Sequence, residues 1–252
     1  MEAVIHHHKQ RYFVNLSKPI DISIAINTYR QNVNAWYVDK PSISPVILGQ
    51  WTGSVDKGAP VNFNEISFKP HAHITHTECV GHITNEFYSI NNNLLEYFFL
   101  AELISVSPKE MKSGDFIISK KMLSEQIKAN NLDAIVIRTL PNSDKKKSAQ
   151  YSNTNPPYML EESADYLKSL EIKHLLIDLP SIDKEKDSGK LLAHRAFWNT
   201  KGKIRNYASI TEFIYVPNWV KDGVYLLNLM IAPFENNATP SKPVLYKAIS
   251  QS

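Results

Sequence analysis

The order of apolar and polar positions predicts two successive helix-strand units in the middle of the chain. Residues 119–130 have apolar side chains at helical spacing, and residues 134–139, which are rich in β-branched side chains, follow as a strand. Residues 160–170 have the pattern of an amphipathic helix, and the short apolar segment 174–178 follows as a second strand. This repeated order predicts an α/β fold in which both strands pair within one sheet and are covered by the helices that precede them.

Further strands are predicted towards both ends of the chain. Residues 20–26 alternate between apolar and polar side chains, as in a half-buried strand, and residues 12–16 are plausible partners in an early hairpin. The apolar segment 95–106 is compatible with a helix or a strand, and we favour a strand for its second half. Segments 223–231 and 243–246 predict the strands that close the sheet.

Residues 27–70 form a long segment that is rich in Pro, Gly, Asn and Ser and has no sustained helical period. Aromatic residues are scattered through it, among them Trp36, Tyr37, Trp51 and Phe63. Long aromatic loops of this kind often border a pocket. The alternative interpretation is that each ring only fills a gap in the core.

Composition and charge exclude several classes of function. Of the 252 residues, 43% are hydrophobic and 21% are charged, and the net charge of +3 is small, as in ordinary globular proteins. The basic run 145–147 lacks interleaved aromatic residues, so it indicates a solvated loop and no nucleic-acid partner. No apolar run approaches the roughly 18 residues that span a bilayer, and the N-terminus lacks a signal-peptide pattern. We therefore expect a soluble cytoplasmic protein with no membrane partner, and its single cysteine agrees with a reducing compartment.

The most distinctive segment, residues 69–82, gathers four of the nine histidines and one carboxylate. They are His71, His73, His76, Glu78 and His82. Imidazole and carboxylate are ligand types that suit zinc, manganese or iron, so the segment predicts a metal site. If the chain is extended from residue 76 to residue 82, every second side chain lies on one face, and His76 and Glu78 point the same way. The alternative is a polar surface loop with histidines by chance, which so dense a cluster argues against.

Other residues that could carry chemistry are interpreted as structural. Cys79 is expected to be a small buried thiol beside the site, and His174 is expected to support the start of its strand. The histidines at positions 6–8 fit a tag remnant or a polar lead into a strand, and we exclude them from the site. Asn237 begins a match to a glycosylation acceptor, which we attribute to chance because no secretion signal accompanies it.

Residues 75–82 resemble the motif His-x-Gly-Thr-His-x-Asp-x-Pro-x-His of the cyclase family, which includes bacterial kynurenine formamidase and isatin hydrolase. The resemblance continues downstream. It includes a Pro-Ser-x-Asp segment at residues 180–183, a later histidine at His194, a later glutamate at Glu212 and a closing stretch at residues 231–246. The match therefore extends from about residue 20 to residue 246.

The resemblance implies a fold and a set of site residues. The fold is a single α/β domain over residues 1–252, with a mixed β-sheet core flanked by helices, of the swivelling β/β/α type, and residues 1–11 as a flexible lead-in. One metal ion is held by His71, His76 and Glu78, and a second by Glu78, His194 and Glu212. The metal is zinc or manganese, with one or two ions per site, and His82 is the residue that transfers protons. A homodimer or a higher homo-oligomer is also implied.

The implied activity is that of a metal-dependent hydrolase, similar to an arylformamidase, that cleaves a C–N amide bond of a small aromatic or cyclic substrate through a metal-activated water. One alternative is a metal-binding protein of the same fold without hydrolase activity, and another is a lyase or cyclase that uses the same site. The presence of both His82 and Glu212 favours an enzyme, because a protein that only holds metal needs no free imidazole beside its ligands.

The sequence departs from the family motif around its first histidine. Glu78 stands in place of Asp, and the slot of the first histidine is Ala72, with His71 and His73 on either side. We expect His71 to be the ligand, because Pro70 gives it a stiff start and a bulge can absorb the extra residue. His73 is expected to face the mouth of the pocket or solvent.

Overall fold

The computed structural model describes residues 1–251, which form seventeen β-strands, five short α-helices and three 3-10 helices. The strands are β1 (Glu2–His7), β2 (Gln10–Asn15), β3 (Ile20–Asp21), β4 (Ser42–Pro45), β5 (Ile47–Leu48), β6 (Trp51–Thr52), β7 (Asn64–Ser67), β8 (His76–Glu78), β9 (Phe98–Val106), β10 (Lys109–Glu110), β11 (Phe116–Ile118), β12 (Ala134–Thr139), β13 (Tyr158–Met159), β14 (His174–Ile177), β15 (Ser209–Glu212), β16 (Gly223–Ile231) and β17 (Ala238–Gln251). The α-helices are α1 (Pro70–His73), α2 (Ile90–Asn93), α3 (Lys120–Gln126), α4 (Glu161–Ser169) and α5 (Leu192–Phe197), and the 3-10 helices are Val55–Lys57, Val80–His82 and Asp144–Ser148.

The central sheet is mixed, and seven of its strands close into a barrel-like ring. β12 pairs in parallel with β14, with Ala134 opposite His174, which confirms the predicted pairing of these two strands. β9, β12, β14 and β15 run parallel, whereas β16, β17 and β8 join them in antiparallel order. The long strand β17 closes the ring because its first residues, 238–240, pair with β8 and the following residues, 241–247, pair with β16.

Both faces of the parallel strands are buried, which explains their nearly continuous apolar sequence. Ile135 and Ile137 belong to the core that the strands share with α3, α4 and α5, whereas Val136 points into the core on the other face. The helices that precede β12 and β14 therefore lie on the sheet as predicted. α3 is shorter than its sequence pattern, because the carboxylate of Glu102 on β9 accepts the backbone N–H of Lys128 and directs the chain away from the helix.

The N-terminal residues differ from the prediction. Residues 1–11 were expected to be a flexible lead-in, yet β1 and β2 form a hairpin that pairs with the end of β17. Of the predicted strand 20–26, only β3 is regular. The reason is local, because the carboxylate of Asp21 accepts hydrogen bonds from both the backbone and the hydroxyl of Ser23 and turns the chain.

Residues 42–67 form a largely exposed segment that we call the arm. It contains two small antiparallel ribbons, β4 with β7 and β5 with β6, where the sequence pattern predicted an irregular loop. Every residue of β4, β5 and β7 is exposed. The arm ends directly before α1, which carries the first histidines of the segment 69–82. Within residues 1–251, no helix has the length and apolar character needed to cross a membrane.

Candidate metal centre

The centre is built around β8, which lies between β15 and β17. His76 and Glu78 are two residues apart on this strand, so their side chains point to the same side of the sheet. Both side chains are fully buried. Antiparallel pairing places Glu212 of β15 opposite His76. Nε2 of His76 lies 3.5 Å from Oε2 of Glu212 and 4.0 Å from Oε2 of Glu78. The extended geometry predicted for residues 76–78 is therefore present.

His71 reaches the centre from α1, and His73 does not. The Nδ1 atom of His71 lies 3.1 Å from Oε2 of Glu78. His73 is fully buried, and its Nδ1 accepts the backbone N–H of Lys69 at 3.0 Å. Our expectation that His73 faces the pocket mouth or solvent was wrong. Because the segment is a single helical turn that begins at Pro70, two side chains two residues apart point about 200° away from each other.

His194 enters from α5, which begins after Leu191. Its Nε2 atom lies 3.0 Å from Oε1 of Glu78 and 3.8 Å from Oε1 of Glu212. Its Nδ1 atom donates to Oδ2 of Asp183 at 2.6 Å. The same carboxylate accepts hydrogen bonds from the backbone N–H groups of Ala193 and His194. Asp183 therefore both caps the start of α5 and orients the imidazole of His194. Glu212 is held in turn by the backbone N–H of Ile182, at 3.0 Å.

His82 lies at the outer edge of the centre. The chain turns into a 3-10 helix after Cys79, so His82 does not continue the extended face that was predicted to residue 82. A Cβ atom at Gly81 would collide with the carbonyl oxygen of Tyr88, which makes glycine necessary at this turn. Nε2 of His82 lies 3.8 Å from Oε2 of Glu78, and 32% of its side chain is exposed. The ring stacks on His71 with centroids 4.2 Å apart.

Hydrogen bonds on the outer side of three rings determine which nitrogen faces the carboxylates. Nε2 of His71 lies 3.2 Å from Oδ1 of Asn237, Nδ1 of His76 lies 3.1 Å from the carbonyl oxygen of Ile74, and Nδ1 of His194 is bound by Asp183. Each of these partners is an acceptor, so each outer nitrogen carries a proton. In the neutral form of each ring the lone pair therefore lies on Nδ1 of His71 and on Nε2 of His76 and His194, facing Glu78 and Glu212.

Burial and the clustered charges shift the pKa values strongly. Burial lowers the pKa of His76 to about 3 and that of His82 to about 4. Burial also acts against the charged form of His194, but hydrogen bonds with Asp183 and Glu78 outweigh it and raise the pKa to about 10. The two carboxylates shift in opposite directions. Despite its burial, the surrounding histidines hold the pKa of Glu78 well below its usual range, whereas burial and the charge of Glu78 raise the pKa of Glu212.

Two buried atoms at the centre show that the residues fit a metal ion. Within residues 1–251, Nε2 of His76 and Oε2 of Glu78 are buried and make no hydrogen bond. His71 is close to Oε2 of Glu78 but poorly aligned with it for a hydrogen bond. Leaving a buried polar atom unpaired costs about 1–3 kcal/mol. A cation bound between these two atoms would accept a lone pair from each and remove that cost. Histidine nitrogen and carboxylate oxygen are the donors that zinc and manganese accept.

The ligand atoms form two overlapping groups. His71, His76 and Glu78 form one, and Glu78, His82 and His194 form the other, with all atoms of a group within 4.8 Å of one another. Glu78 is common to both groups. The structure thus gathers the five predicted ligands and His82 in one place, although the second group contains His82 where the sequence assignment has Glu212. Their roles as ligands stay a prediction.

Two supporting residues were not identified from the sequence. Asp183 lies in the Pro-Ser-x-Asp segment, but its pattern did not indicate a contact with His194. Asn237 had been attributed to a chance glycosylation match, and it lies against His71 because β17 returns to β8 from a distant part of the chain. Neither contact has a short-range signal, since Asp183 and His194 are eleven residues apart and Asn237 meets His71 only through the pairing of β17 with β8.

Several residues around the centre have a left-handed backbone that large side chains rarely adopt. Phe213, with φ of 55°, directly follows Glu212, and its ring centroid lies 5.9 Å from that of His76. Leu191, with φ of 49°, directly precedes α5. Trp36 has φ of 62°, and its indole N–H donates to the carbonyl oxygen of His71 at 3.0 Å. Strained backbone of this kind concentrates at functional sites, where the surrounding structure enforces it.

Comparisons with known proteins identify relatives of this chain. The model of the cyclase family, described as "Putative cyclase", matches residues 14–184. A structure described as "Potential Metal-Dependent Hydrolase With Cyclase Activity" has 16% identity, covers 91% of this chain and 98% of its own, and gives a TM-score of 0.62. A "predicted metal-dependent hydrolase" from Bacillus stearothermophilus has 17% identity, coverages of 91% and 98%, and a TM-score of 0.61. An isatin hydrolase bound to the product analogue thioisatinate has 15% identity, coverages of 92% and 93%, and a TM-score of 0.65. At these identities the likeness shows the fold alone, and no curated protein matches the chain.

Proposed function

Since the chain belongs to the cyclase family, we propose that it is a metal-dependent hydrolase that cleaves a C–N amide bond of a small aromatic or cyclic substrate. The observation that carries this proposal is the position of Glu78. Its buried carboxylate is within 4.0 Å of nitrogen atoms from four histidines, His71, His76, His82 and His194. The descriptions of the related structures, a metal-dependent hydrolase and an isatin hydrolase, support the same reaction class.

The residues divide into a holding set and a proton-transfer residue. His71, His76, Glu78, His194 and Glu212 would hold one or two divalent ions, zinc or manganese. A metal bound there supplies a Lewis acid for the amide carbonyl and lowers the pKa of a nearby water. Glu78 would serve both groups of ligands, because its two oxygens face different histidines. Glu212 closes the centre from the neighbouring strand.

His82 has the properties of the proton-transfer residue. Its side chain is partly exposed at the edge of the centre, and its low pKa keeps the imidazole neutral near pH 7. A neutral imidazole can accept a proton from the attacking water and then donate it to the leaving nitrogen, which balances the protons of amide hydrolysis. His71, His76 and His194 are less suited to this role because their outer nitrogens are already hydrogen-bonded.

An aromatic or cyclic substrate agrees with the opening of the centre. The stacked rings of His71 and His82 form one side of it, and 27% of the His71 side chain is exposed. Trp36 lies beside His71 through its hydrogen bond to the His71 carbonyl oxygen. Flat rings at an opening favour a flat substrate, because offset and edge-on contacts between rings are stabilising.

Metal analysis and an amide screen test the proposal. We expect purified protein to contain zinc or manganese and to hydrolyse at least one member of a panel of formylanilides, isatin and cyclic imides. Removal of the metal should abolish turnover, and its return should restore it. Glu78→Ala should lose metal and activity together, because both groups of ligands share this carboxylate. A metal-loaded wild-type protein that hydrolyses no member of the panel would favour the alternative of a metal-binding protein without hydrolase activity.

A second candidate uses the same centre for ring closure or elimination. The related structure described as having cyclase activity supports it. The panel separates the two reactions, because a hydrolase adds water across the C–N bond, which releases formate and an aniline from a formylanilide and opens the ring of isatin or a cyclic imide. A lyase or cyclase would leave the panel unchanged and would convert an open-chain acid to a ring or an alkene, which mass spectrometry of the products detects.

A further inference from the structure

We infer that Asn237 is a positioning residue that holds the His71 ring with Nδ1 facing Glu78, and so determines how tightly the centre binds metal. This inference rests on the proposed metal-dependent function. It gives a structural role to residues 237–239, whose sequence matches a glycosylation acceptor. Asn237 is placed against His71, and the Thr239 hydroxyl is buried and donates to the carbonyl oxygen of Ala232 at 2.7 Å.

The geometry selects one arrangement of the His71 ring. Oδ1 of Asn237 lies 3.2 Å from Nε2 of His71, and Nδ1 of the same ring lies 3.1 Å from Oε2 of Glu78. An amide oxygen only accepts hydrogen bonds, so Nε2 must carry the proton. The lone pair of the neutral ring is then on Nδ1, on the side where Glu78 lies. Rotation of the ring by half a turn would bring carbon atoms to both positions and lose both contacts.

Asn237 is itself held firmly against β8. Its carbonyl oxygen accepts the backbone N–H of Cys79 at 3.0 Å, and the next residue, Ala238, pairs with Glu78. The side chain that contacts His71 is therefore fixed relative to the carboxylate that His71 faces. One backbone segment sets the positions of both the ligand and the residue that orients it.

Among the ligand histidines, His71 most needs such an orienting contact. Its side chain is 27% exposed, whereas the side chains of His76 and His194 are almost completely buried and are restrained by packing. His71 also sits on a helix of only four residues. Its ring contacts are with His76 and His82, at centroid distances of 4.9 and 4.2 Å, and neither distinguishes Nδ1 from the opposite carbon. The Asn237 hydrogen bond does distinguish them, because its amide oxygen binds the protonated Nε2 and not a ring carbon.

The experiment measures binding of Zn²⁺ alone and of Mn²⁺ alone by competition with a chromophoric chelator. Asn237→Leu keeps the shape of the side chain and removes the acceptor, and Asn237→Ala is a smaller variant in case leucine impairs folding. We expect either change to weaken metal binding by about 10–100-fold, the usual effect of removing the partner of a ligating histidine. Asn237→Asp retains an acceptor oxygen and should bind at least as tightly as the wild type.

A double-mutant cycle shows whether the effect passes through His71. In a His71→Ala background, Asn237→Ala should cause no further loss of metal affinity, because the ring that it orients is absent. Asn236→Ala is the matched control, since that neighbouring amide donates to the carbonyl oxygen of Ala238 and does not contact a histidine. It should leave metal affinity unchanged. Thermal unfolding of each metal-free variant reports whether it is folded.

The outcomes separate failure of this inference from failure of the proposed function. A wild-type protein that binds neither Zn²⁺ nor Mn²⁺ would overturn the metal-dependent function and the inference together. A wild-type protein that binds metal, with a folded Asn237→Ala that binds it equally well, would overturn the inference alone. The inference alone would also be overturned if Asn237→Ala weakened metal binding to the same extent in the presence and in the absence of the His71 ring.

Discussion

Asp183 and His194 are joined by a 2.6 Å hydrogen bond between Oδ2 and Nδ1, and the same carboxylate accepts the backbone N–H of His194 at 3.1 Å. One side chain thus begins α5 and orients the imidazole that this helix delivers to Glu78. The two tasks can be separated by substitution, because helix capping needs an acceptor oxygen whereas a carboxylate also attracts the ring proton.

We predict that Asp183→Ala lowers the free energy of unfolding by about 1–2 kcal/mol, the usual cost of losing such a cap. Metal affinity should also fall, by about 10–100-fold. Asp183→Asn should recover the stability but not the full metal affinity, because an amide binds the ring proton less strongly. Chemical denaturation and chelator competition measure the two effects. Asp187→Ala is the control, since this carboxylate caps the backbone of Gly189 and Leu191 in the same loop and should affect stability alone. Equal metal affinity in Asp183→Ala and wild type would contradict the role.

The two histidines of α1 give a second prediction. His71→Ala should bind metal more weakly and lose it during dialysis, because its Nδ1 faces Glu78, while the remaining affinity stays measurable by chelator competition. His73→Ala should retain metal and lose stability by about 1–3 kcal/mol, because a fully buried imidazole is removed and the backbone N–H of Lys69 loses its acceptor. Metal content after dialysis and urea unfolding distinguish these effects. If His73→Ala loses the ion and His71→Ala keeps it, the ligand has been assigned to the wrong histidine.

How much of this centre the sequence could predict follows from how local each contact is. His76 and Glu78 could be placed on one face because a strand has a period of two, and the period was visible in the sequence. The direction of His73 could not be read in the same way. It depends on whether residues 70–73 form a bulge or a helical turn, and the proline at position 70 is compatible with either.

The same distinction applies to the fold. β12 and β14 were predicted because buried parallel strands have continuous apolar sequences and each follows a helix. The early end of α3 was not predicted, since it is caused by Glu102, which lies on β9 and is distant from α3 in the sequence. Asn237 and His71 meet because the first residues of β17 pair with β8, and no short pattern in either segment specifies that pairing.

The position of His82 supports a third prediction, which depends on the proposed hydrolase activity. His82→Ala should lower turnover by about 10²–10⁴-fold, the usual contribution of a positioned acid or base. Metal content should remain nearly that of the wild type, because His71, His76, Glu78 and His194 remain in place. Turnover of the best amide in the panel and metal analysis of the same sample test both parts. Loss of metal from His82→Ala would make His82 a ligand, as its place in the second group of donors allows.

The arm exposes a large apolar surface that a partner could cover. The ribbon of β4 and β7 is exposed on both faces, and a two-stranded ribbon is at best marginally stable alone in water. Seven of its large apolar side chains are between 37% and 67% exposed. They are Ile43, Ile47, Leu48, Val55, Val61, Phe63 and Ile66. Together they present on the order of 700 Å², close to the roughly 800 Å² that each partner buries in a standard interface.

We propose that a second copy of this chain covers the arm, which agrees with the homo-oligomer that the family resemblance implies. Ile47→Asp combined with Leu48→Asp should convert the protein to a monomer, because two carboxylates cannot be buried unpaired in an apolar interface. Sedimentation velocity of the metal-loaded wild type and variant measures the mass of each. Leu95→Asp is the control, since Leu95 is an exposed apolar residue outside the arm, and its variant should keep the mass of the wild type. A monomeric wild-type protein, or a double variant with the mass of an oligomeric wild type, would show that the arm is not the interface.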